Sequence, residues 1–155
     1  MWILIKNVTF TLVVPATVTV YVPFRLLGSS AVFSINGVRA LGLLPISAGA
    51  MFYFWCLWHF ARTGRGTPAP IDPPKVLVRK GLYRNVRNPM YVGVLLTLFG
   101  ETIFFASVAL VIYALAVTTM FHLFVVLYEE PTLKAKFGPV YEEYCRNVPR
   151  WIPRF

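Results

Sequence analysis

Long uncharged runs divide the chain into apolar segments separated by basic ones. Residues 7–24, 40–61 and 102–128 carry no charged side chain, and a helix that spans a membrane needs about 20 mostly apolar residues. Because the stretch 88–128 is too long for one span, we interpret it as a tight helical hairpin. The pattern predicts an all-α integral membrane protein with four transmembrane helices, at about 7–26, 40–61, 89–104 and 108–128.

The hairpin is predicted to turn near residues 105–107, where Ser107 fits the N-cap of the last span. A break in composition lies earlier, because residues 63–74 contain four prolines and two glycines, which is typical of a loop. We therefore divide the chain into an N-terminal transmembrane helix pair, residues 1–61, that acts as a scaffold, and a region of residues 62–155. This second region holds the loop, the hairpin and the candidate chemistry.

The C-terminal tail has its own periodicity. Apolar and aromatic residues recur there at spacings of four and three, which indicates an amphipathic helix. One interpretation is an interfacial cytoplasmic helix with an aromatic anchor, and the other is a cap on the helical bundle. The residues of this pattern are Phe137, Tyr141, Tyr144, Val148 and Trp151.

Composition and charge agree with a membrane protein. The chain is 57% hydrophobic with a mean hydropathy of +0.65, whereas soluble domains are about 45–50% apolar. The net charge of +9 is concentrated in residues 62–88 and in the tail after residue 131. The positive-inside rule therefore places both termini and the middle loop, residues 62–88, in the cytoplasm. Anionic lipid headgroups explain the basic excess without nucleic acid. Cys56 and Cys145 lack metal-ligand spacing, so no metal is expected.

Two short elements hold the candidate chemistry. Pro89 fits the first turn of a helix and Asn88 its N-cap, and the free N–H groups there favour an anion. At the other end of the hairpin, Glu129 and Glu130 end an apolar run, where the helix dipole disfavours acids. Such a pair needs a partner, which is either a ligand or a cation of the chain, namely Lys134 or an arginine of the middle loop.

Together these elements resemble the small integral-membrane methyltransferases of the isoprenylcysteine carboxyl methyltransferase and phospholipid N-methyltransferase superfamily. The resemblance covers roughly residues 75–153, about half of the chain. Its parts, in chain order, are residues 76–78, 81–83, 87–91 with Gly93, the pair Glu129–Glu130, Leu133, residues 137–138, Tyr141, Tyr144 and residues 148–149.

The resemblance implies a cytoplasmic site for S-adenosylmethionine. An ammonium and ribose hydroxyls suit a glutamate, a carboxylate suits Lys75, Arg87 or the helix start at Asn88, and a sulfonium suits an aromatic face. The cofactor-binding residues implied in this way are Lys75, Val76, Leu77, Val78, Tyr83, Asn88, Pro89, Met90, Tyr91, Glu129 and Glu130.

The resemblance also implies a membrane-embedded acceptor, a lipid or a prenylated molecule. The prenylcysteine enzymes usually have His at the position of Asn88 and Arg at the position of Val125, so a carboxylate acceptor is in doubt. The predicted catalytic residues are His122, Glu129 and Asn88. His122 lies seven residues before Glu129, nearly on one face of a regular helix, where it could take a proton from an amine acceptor.

Alternatives stay open at this stage. His122 is also explained as a neutral residue hydrogen-bonded within the bundle, for example to Thr118. The whole chain could instead be an NADPH-dependent membrane reductase of the sterol-reductase type, or a non-enzymatic four-helix membrane protein.

Overall fold

The computed structural model describes residues 13–28, 37–63 and 77–154, and these residues form helices, turns and connecting segments without a strand. The prediction of an all-α protein is confirmed. The helices are α1 (Val13–Leu27), α2 (Leu43–Thr63, preceded by a helical turn at Gly37–Ala40), α3 (Pro89–Phe105), α4 (Val108–Phe137) and α5 (Pro139–Asn147), with a 3₁₀ turn at Gly81–Arg84 before α3.

Two helical stretches are long and apolar enough to cross a membrane. They are Gly37–His59, with 23 residues, and Val108–Phe137, with 30 residues, while α1 and α3 are shorter apolar helices. The outer faces of these helices carry exposed large apolar side chains, as a lipid-facing surface requires. Examples are Phe54, Trp55, Ile112 and Leu115.

The junction between α3 and α4 is tight. Ala106 adopts a left-handed conformation with φ 49°, which ends α3, and the Ser107 hydroxyl accepts a hydrogen bond of 3.4 Å from the backbone N–H of Leu110. Ser107 is therefore the N-cap of α4, as its sequence position predicts. The two helices contribute most of a buried cluster in which Leu98 and Ala114 are central.

Glycines bring α2 and α3 into backbone contact. A Cβ atom on Gly49 would lie 2.5 Å from the Gly93 carbonyl oxygen, and one on Gly42 would lie 2.5 Å from that of Gly100. Small residues at such crossings let helices approach closely within a membrane. Helix α2 and the turn before it therefore pack closely against α3, the helix that starts next to the candidate site.

A wide, π-helical turn at Val125–Glu129 interrupts α4. Such a turn takes up about one residue more than an α-helical turn, so it rotates the residues after it by about 100° relative to a regular helix. His122 and Glu129 consequently do not share a face: His122 is exposed and Glu129 is half-buried. Phe121, which is buried, lies on the face that Glu129 shares.

Helix α5 packs against the protein. Tyr141, Tyr144 and Val148 are buried in a second cluster, together with Leu77, Leu133 and Phe137. The spacing in the tail therefore predicted the helix correctly, and its aromatic face packs on Leu77 and on the end of α4.

Candidate functional site

Tyr91 and Glu129 form the centre of the candidate site. Tyr91 lies in the first turn of α3 and donates a hydrogen bond of 3.0 Å from its hydroxyl to Glu129 Oε2. Its ring packs against Phe121, with centroids 4.8 Å apart, and against the edge of Trp151 at 6.5 Å. Among the described residues, Glu129 has no cationic partner. Glu129 is therefore a half-buried carboxylate that is hydrogen-bonded to an aromatic side chain and lacks a neutralising cation within the described residues.

Glu130 has a different environment from its neighbour. Both of its oxygens accept hydrogen bonds from Arg150, at 2.7 and 2.9 Å, and Oε1 also accepts one from Arg87 at 2.9 Å. These bonds raise the pKa of Arg150. The sequence analysis left open a partner within the chain. Glu130 has two such partners, and one of them is Arg87, an arginine of the middle loop. Lys134, the other candidate, pairs with Glu142 at 2.8 Å instead.

Asn88 occupies the N-cap position of α3, but its side chain makes no capping bond. The predicted N-cap position of Asn88 is therefore confirmed, without a bond from its side chain to the helix. The amide Nδ2 instead donates to the backbone carbonyl of Arg150 at 3.2 Å, and the side chain is buried. Pro89 follows as the first residue of the helix, as predicted, and it too is buried.

The loop before α3 places Tyr83 near the same centre. Its backbone carbonyl accepts a hydrogen bond of 2.6 Å from the Tyr144 hydroxyl. Burial raises the pKa of Tyr83, and the negative charge of Glu129 raises it further. Burial also raises the pKa of Tyr144. Both phenols therefore remain neutral at physiological pH, and Tyr144 keeps the proton that it donates.

His122 lies beside this centre, on the exposed side of α4. Its Nδ1 accepts a hydrogen bond of 3.2 Å from Trp151 Nε1, and the two rings are tilted with centroids 6.1 Å apart. Thr118 donates to the Ala114 carbonyl at 2.7 Å. The suggested His122–Thr118 hydrogen bond is therefore replaced by one to Trp151.

The remaining predicted residues are distributed unevenly. Leu77 and Met90 are half-buried, and Val78 is buried. Leu77 contacts the cluster of Tyr141 and Tyr144, whereas Met90 packs against the cluster that contains Phe121. Lys75 and Val76 lie outside the described residues.

Sequence reasoning missed three residues of this site. Phe121 was missed because the wide turn shifts the register of α4 after Phe124. Arg150 and Trp151 were missed because no periodic pattern in the sequence predicts the path of the chain after α5. Trp151 belonged to the spacing pattern of the tail, but the pattern assigned it to the helix, which ends at Asn147.

The arrangement suits a cationic or polar ligand more than a metal. One carboxylate, aromatic rings and the first N–H groups of a helix can bind an ammonium, a planar ring and an anion respectively. Within residues 13–28, 37–63 and 77–154, no three His, Cys, Asp or Glu side chains come together as a metal site would require.

Comparisons with known proteins identify relatives. A family model described as phospholipid methyltransferase matches residues 38–140. Methanethiol S-methyltransferase 2 of Bradyrhizobium diazoefficiens is 38% identical over 73 residues, which is 47% of this chain. Methanethiol S-methyltransferase of Crocosphaera subtropica is 41% identical over 71 residues, which is 46% of this chain. The matched segment covers only 27% of the length of each relative.

Proposed function

Since this chain belongs to the phospholipid methyltransferase family, we propose that it transfers a methyl group from S-adenosylmethionine to a membrane-embedded acceptor. The predicted resemblance to membrane methyltransferases is confirmed at the level of the family. The observation that supports the proposed activity is the half-buried Glu129 carboxylate, which accepts a hydrogen bond from Tyr91 and has no cationic partner among the described residues.

The described residues fit the chemical groups of this cofactor. Glu129 is proposed to bind the ammonium or the ribose hydroxyls. The first N–H groups of α3, at Met90 and Tyr91, have no partner inside the helix and are proposed to bind the carboxylate. Val78 and the Tyr83 ring offer an apolar surface to the adenine. Asn88 is proposed to shape the helix start, and Lys75, Val76, Leu77 and Pro89 complete the proposed binding residues.

When bound, S-adenosylmethionine supplies an electrophilic methyl group. The protein's own contribution is then to align the acceptor and to exclude water, for which the rings of Tyr91, Phe121 and Trp151 are suited. His122 is proposed to take the proton of a protic acceptor. Because its Nδ1 already accepts from Trp151, and a neutral imidazole has one acceptor nitrogen, the Trp151 bond must open first.

The proposed topology follows the sequence pattern. We propose four transmembrane helices, with both termini and the site facing the cytoplasm and the helix pair of residues 1–61 acting as a scaffold for residues 62–155. In this arrangement the acceptor reaches the site from the lipid, between the helices.

Two classes of acceptor are proposed. A lipid or prenylated acceptor fits a site that opens between apolar helices. A small thiol is the second candidate, because both relatives are named methanethiol S-methyltransferases. The buried Val125 offers no charge for a carboxylate acceptor.

Calorimetry with S-adenosylhomocysteine tests the proposal. Purified protein in lipid nanodiscs should bind the compound, and Glu129→Gln should weaken binding by about tenfold, the effect of losing one charged hydrogen bond. Glu142→Gln is the matched control, because it removes an exposed carboxylate that pairs with Lys134. Absence of binding by the wild type, or equal affinity in Glu129→Gln, contradicts the proposal, and stabilisation by NADPH instead would support the reductase.

The acceptor is identified by a second experiment. Protein is incubated with methyl-labelled S-adenosylmethionine and either membrane lipid extract or methanethiol, and the labelled product is identified by mass spectrometry. Label in the lipid fraction supports the lipid acceptor, and label in dimethyl sulfide supports the thiol.

A further inference from the structure

The last described residues, 148–154, form a non-helical segment that we name the C-terminal strap. Three hydrogen bonds attach the strap to the segment just before α3. They run from the Arg87 N–H to the Pro149 carbonyl at 2.9 Å, from Asn88 Nδ2 to the Arg150 carbonyl at 3.2 Å, and from the Arg154 N–H to the Asn85 carbonyl at 3.1 Å.

Glu130 fastens the strap from the opposite side. It holds the Arg150 guanidinium with two hydrogen bonds, at 2.7 and 2.9 Å, and the two side chains are only 19% and 32% exposed. A bidentate, partly buried ion pair between an arginine and a carboxylate is stronger and more directional than an exposed ion pair. Because Glu130 also accepts from Arg87, one carboxylate joins α4, the strap and the residue just before Asn88.

Trp151 follows Arg150 in the strap and borders the site. Its ring meets that of Tyr91 with centroids 6.5 Å apart, and its N–H donates to His122. Since Tyr91 donates to Glu129, Tyr91 links Trp151 of the strap to the carboxylate that is proposed to bind the ligand. The position of Trp151 depends on where Arg150 is held.

We infer that Glu130 is a positioning residue, which fastens the C-terminal strap through Arg150 so that Trp151 closes the site beside Tyr91 and Glu129. This role replaces the cofactor contact that the sequence predicted for Glu130. The inference rests on the proposed function only for the identity of the ligand. The hydrogen bonds that define the role of Glu130 join residues of this chain.

Hydrogen exchange without ligand tests the inference independently of any activity. In nanodiscs, Glu130→Gln should exchange the Arg154 and Arg87 amides about tenfold faster than the wild type, the effect of losing a charge-assisted pair. Peptides from the centres of α3 and α4 should stay unchanged, which separates release of the strap from unfolding. Glu142→Gln, which removes an exposed ion pair, should leave the strap unchanged. Equal exchange of the strap in Glu130→Gln and the wild type overturns the inference.

Release of S-adenosylhomocysteine tests the consequence for the site. Glu130→Gln and Arg150→Gln should each release the compound about tenfold faster, and the double variant should be no faster than either single variant, because both changes open the same contact. Glu130→Asp should recover part of the loss. Faster release in Glu130→Gln with wild-type release in Arg150→Gln would show a direct ligand contact and overturn the inference. If the wild type binds no S-adenosylhomocysteine, the proposed function fails while the exchange experiment still decides the role of Glu130.

Discussion

The Tyr91 hydroxyl and Glu129 Oε2 lie 3.0 Å apart although the residues are 38 positions apart in the chain. This hydrogen bond joins the first turn of α3 to the wide turn of α4. It therefore brings together the two sequence elements that hold most of the candidate chemistry.

Tyr91→Phe tests the importance of this bond. The variant should keep the ring packing on Phe121 and lose the donor to Glu129, so the affinity for S-adenosylhomocysteine should fall by about three- to tenfold. Calorimetry measures the change. Tyr113→Phe is the matched control, because it removes a hydroxyl that donates to the Val18 carbonyl at 3.0 Å, outside the site. An equal loss of affinity in both variants would contradict a specific role for Tyr91.

Phe121→Ala should affect both stability and the site. Phe121 is buried and supports the Tyr91 ring, and truncation of a buried phenylalanine costs about 3–5 kcal/mol. Thermal unfolding should show a clear decrease in Tm, with a loss of ligand affinity at temperatures where the variant is folded. Leu123→Ala, at a neighbouring position that is 50% exposed, should change neither. A Phe121→Ala variant with wild-type stability would contradict the packing described for α4.

Gly49→Ala should disturb the crossing of α2 and α3. Its Cβ would lie 2.5 Å from the Gly93 carbonyl oxygen, so the backbones must separate, and overpacking of this kind costs about 1–3 kcal/mol. Because α3 starts at the site, the variant should lose ligand affinity together with thermal stability. Gly37→Ala is the control, since nothing lies within 4 Å of its added Cβ. Equal Tm values for the two variants would argue against the close crossing.

Stability at alkaline pH should depend on Tyr144. Burial raises the pKa of this phenol above its ordinary value of 10.0, so above that pH the folded state holds a proton that the unfolded state releases. The stabilisation is therefore complete below about pH 10 and declines as pH rises further. Tyr83 and Tyr141 shift in the same direction.

Tyr144→Phe separates this contribution from the others. At neutral pH the variant should lose about 1 kcal/mol with its hydrogen bond to Tyr83. Between about pH 9 and 11 its Tm should then fall less steeply than that of the wild type, because one titrating group is missing. Parallel curves would show that Tyr144 titrates alike in both states.

The sequence predicted the helices well where uncharged runs end at clear signals. The predicted span 89–104 differs by one residue from α3, because Pro89 starts the helix and Ala106 ends it. The end of α4 was harder to predict. Residues 129–131 resemble a helix end, yet the helix continues to Phe137, because Pro131 lies in the first turn after the wide turn, where its missing N–H has little effect.

The partners of the two glutamates could be predicted only in part. The sequence indicated that two adjacent acids need partners. For both glutamates the candidate partners were a ligand, Lys134 and an arginine of the middle loop. Only the folded structure shows that the two glutamates have different partners. Arg150, which donates to Glu130, lies in a non-helical segment whose path has no periodic signal in the sequence. The regular helical repeat also placed His122 and Glu129 on one face of the helix. This prediction is wrong because the wide turn lies between them.

Because of the wide turn at Val125–Glu129, α4 contains one residue more than a regular α-helix of the same length along its axis. Deleting one residue within this turn would convert it into a regular α-helical turn. The residues after the turn would then rotate by about 100°, and a different residue would face Tyr91. An alignment with a relative whose helix is regular here would need a single-residue gap before the glutamates, placed so that the carboxylate that accepts from Tyr91 is matched.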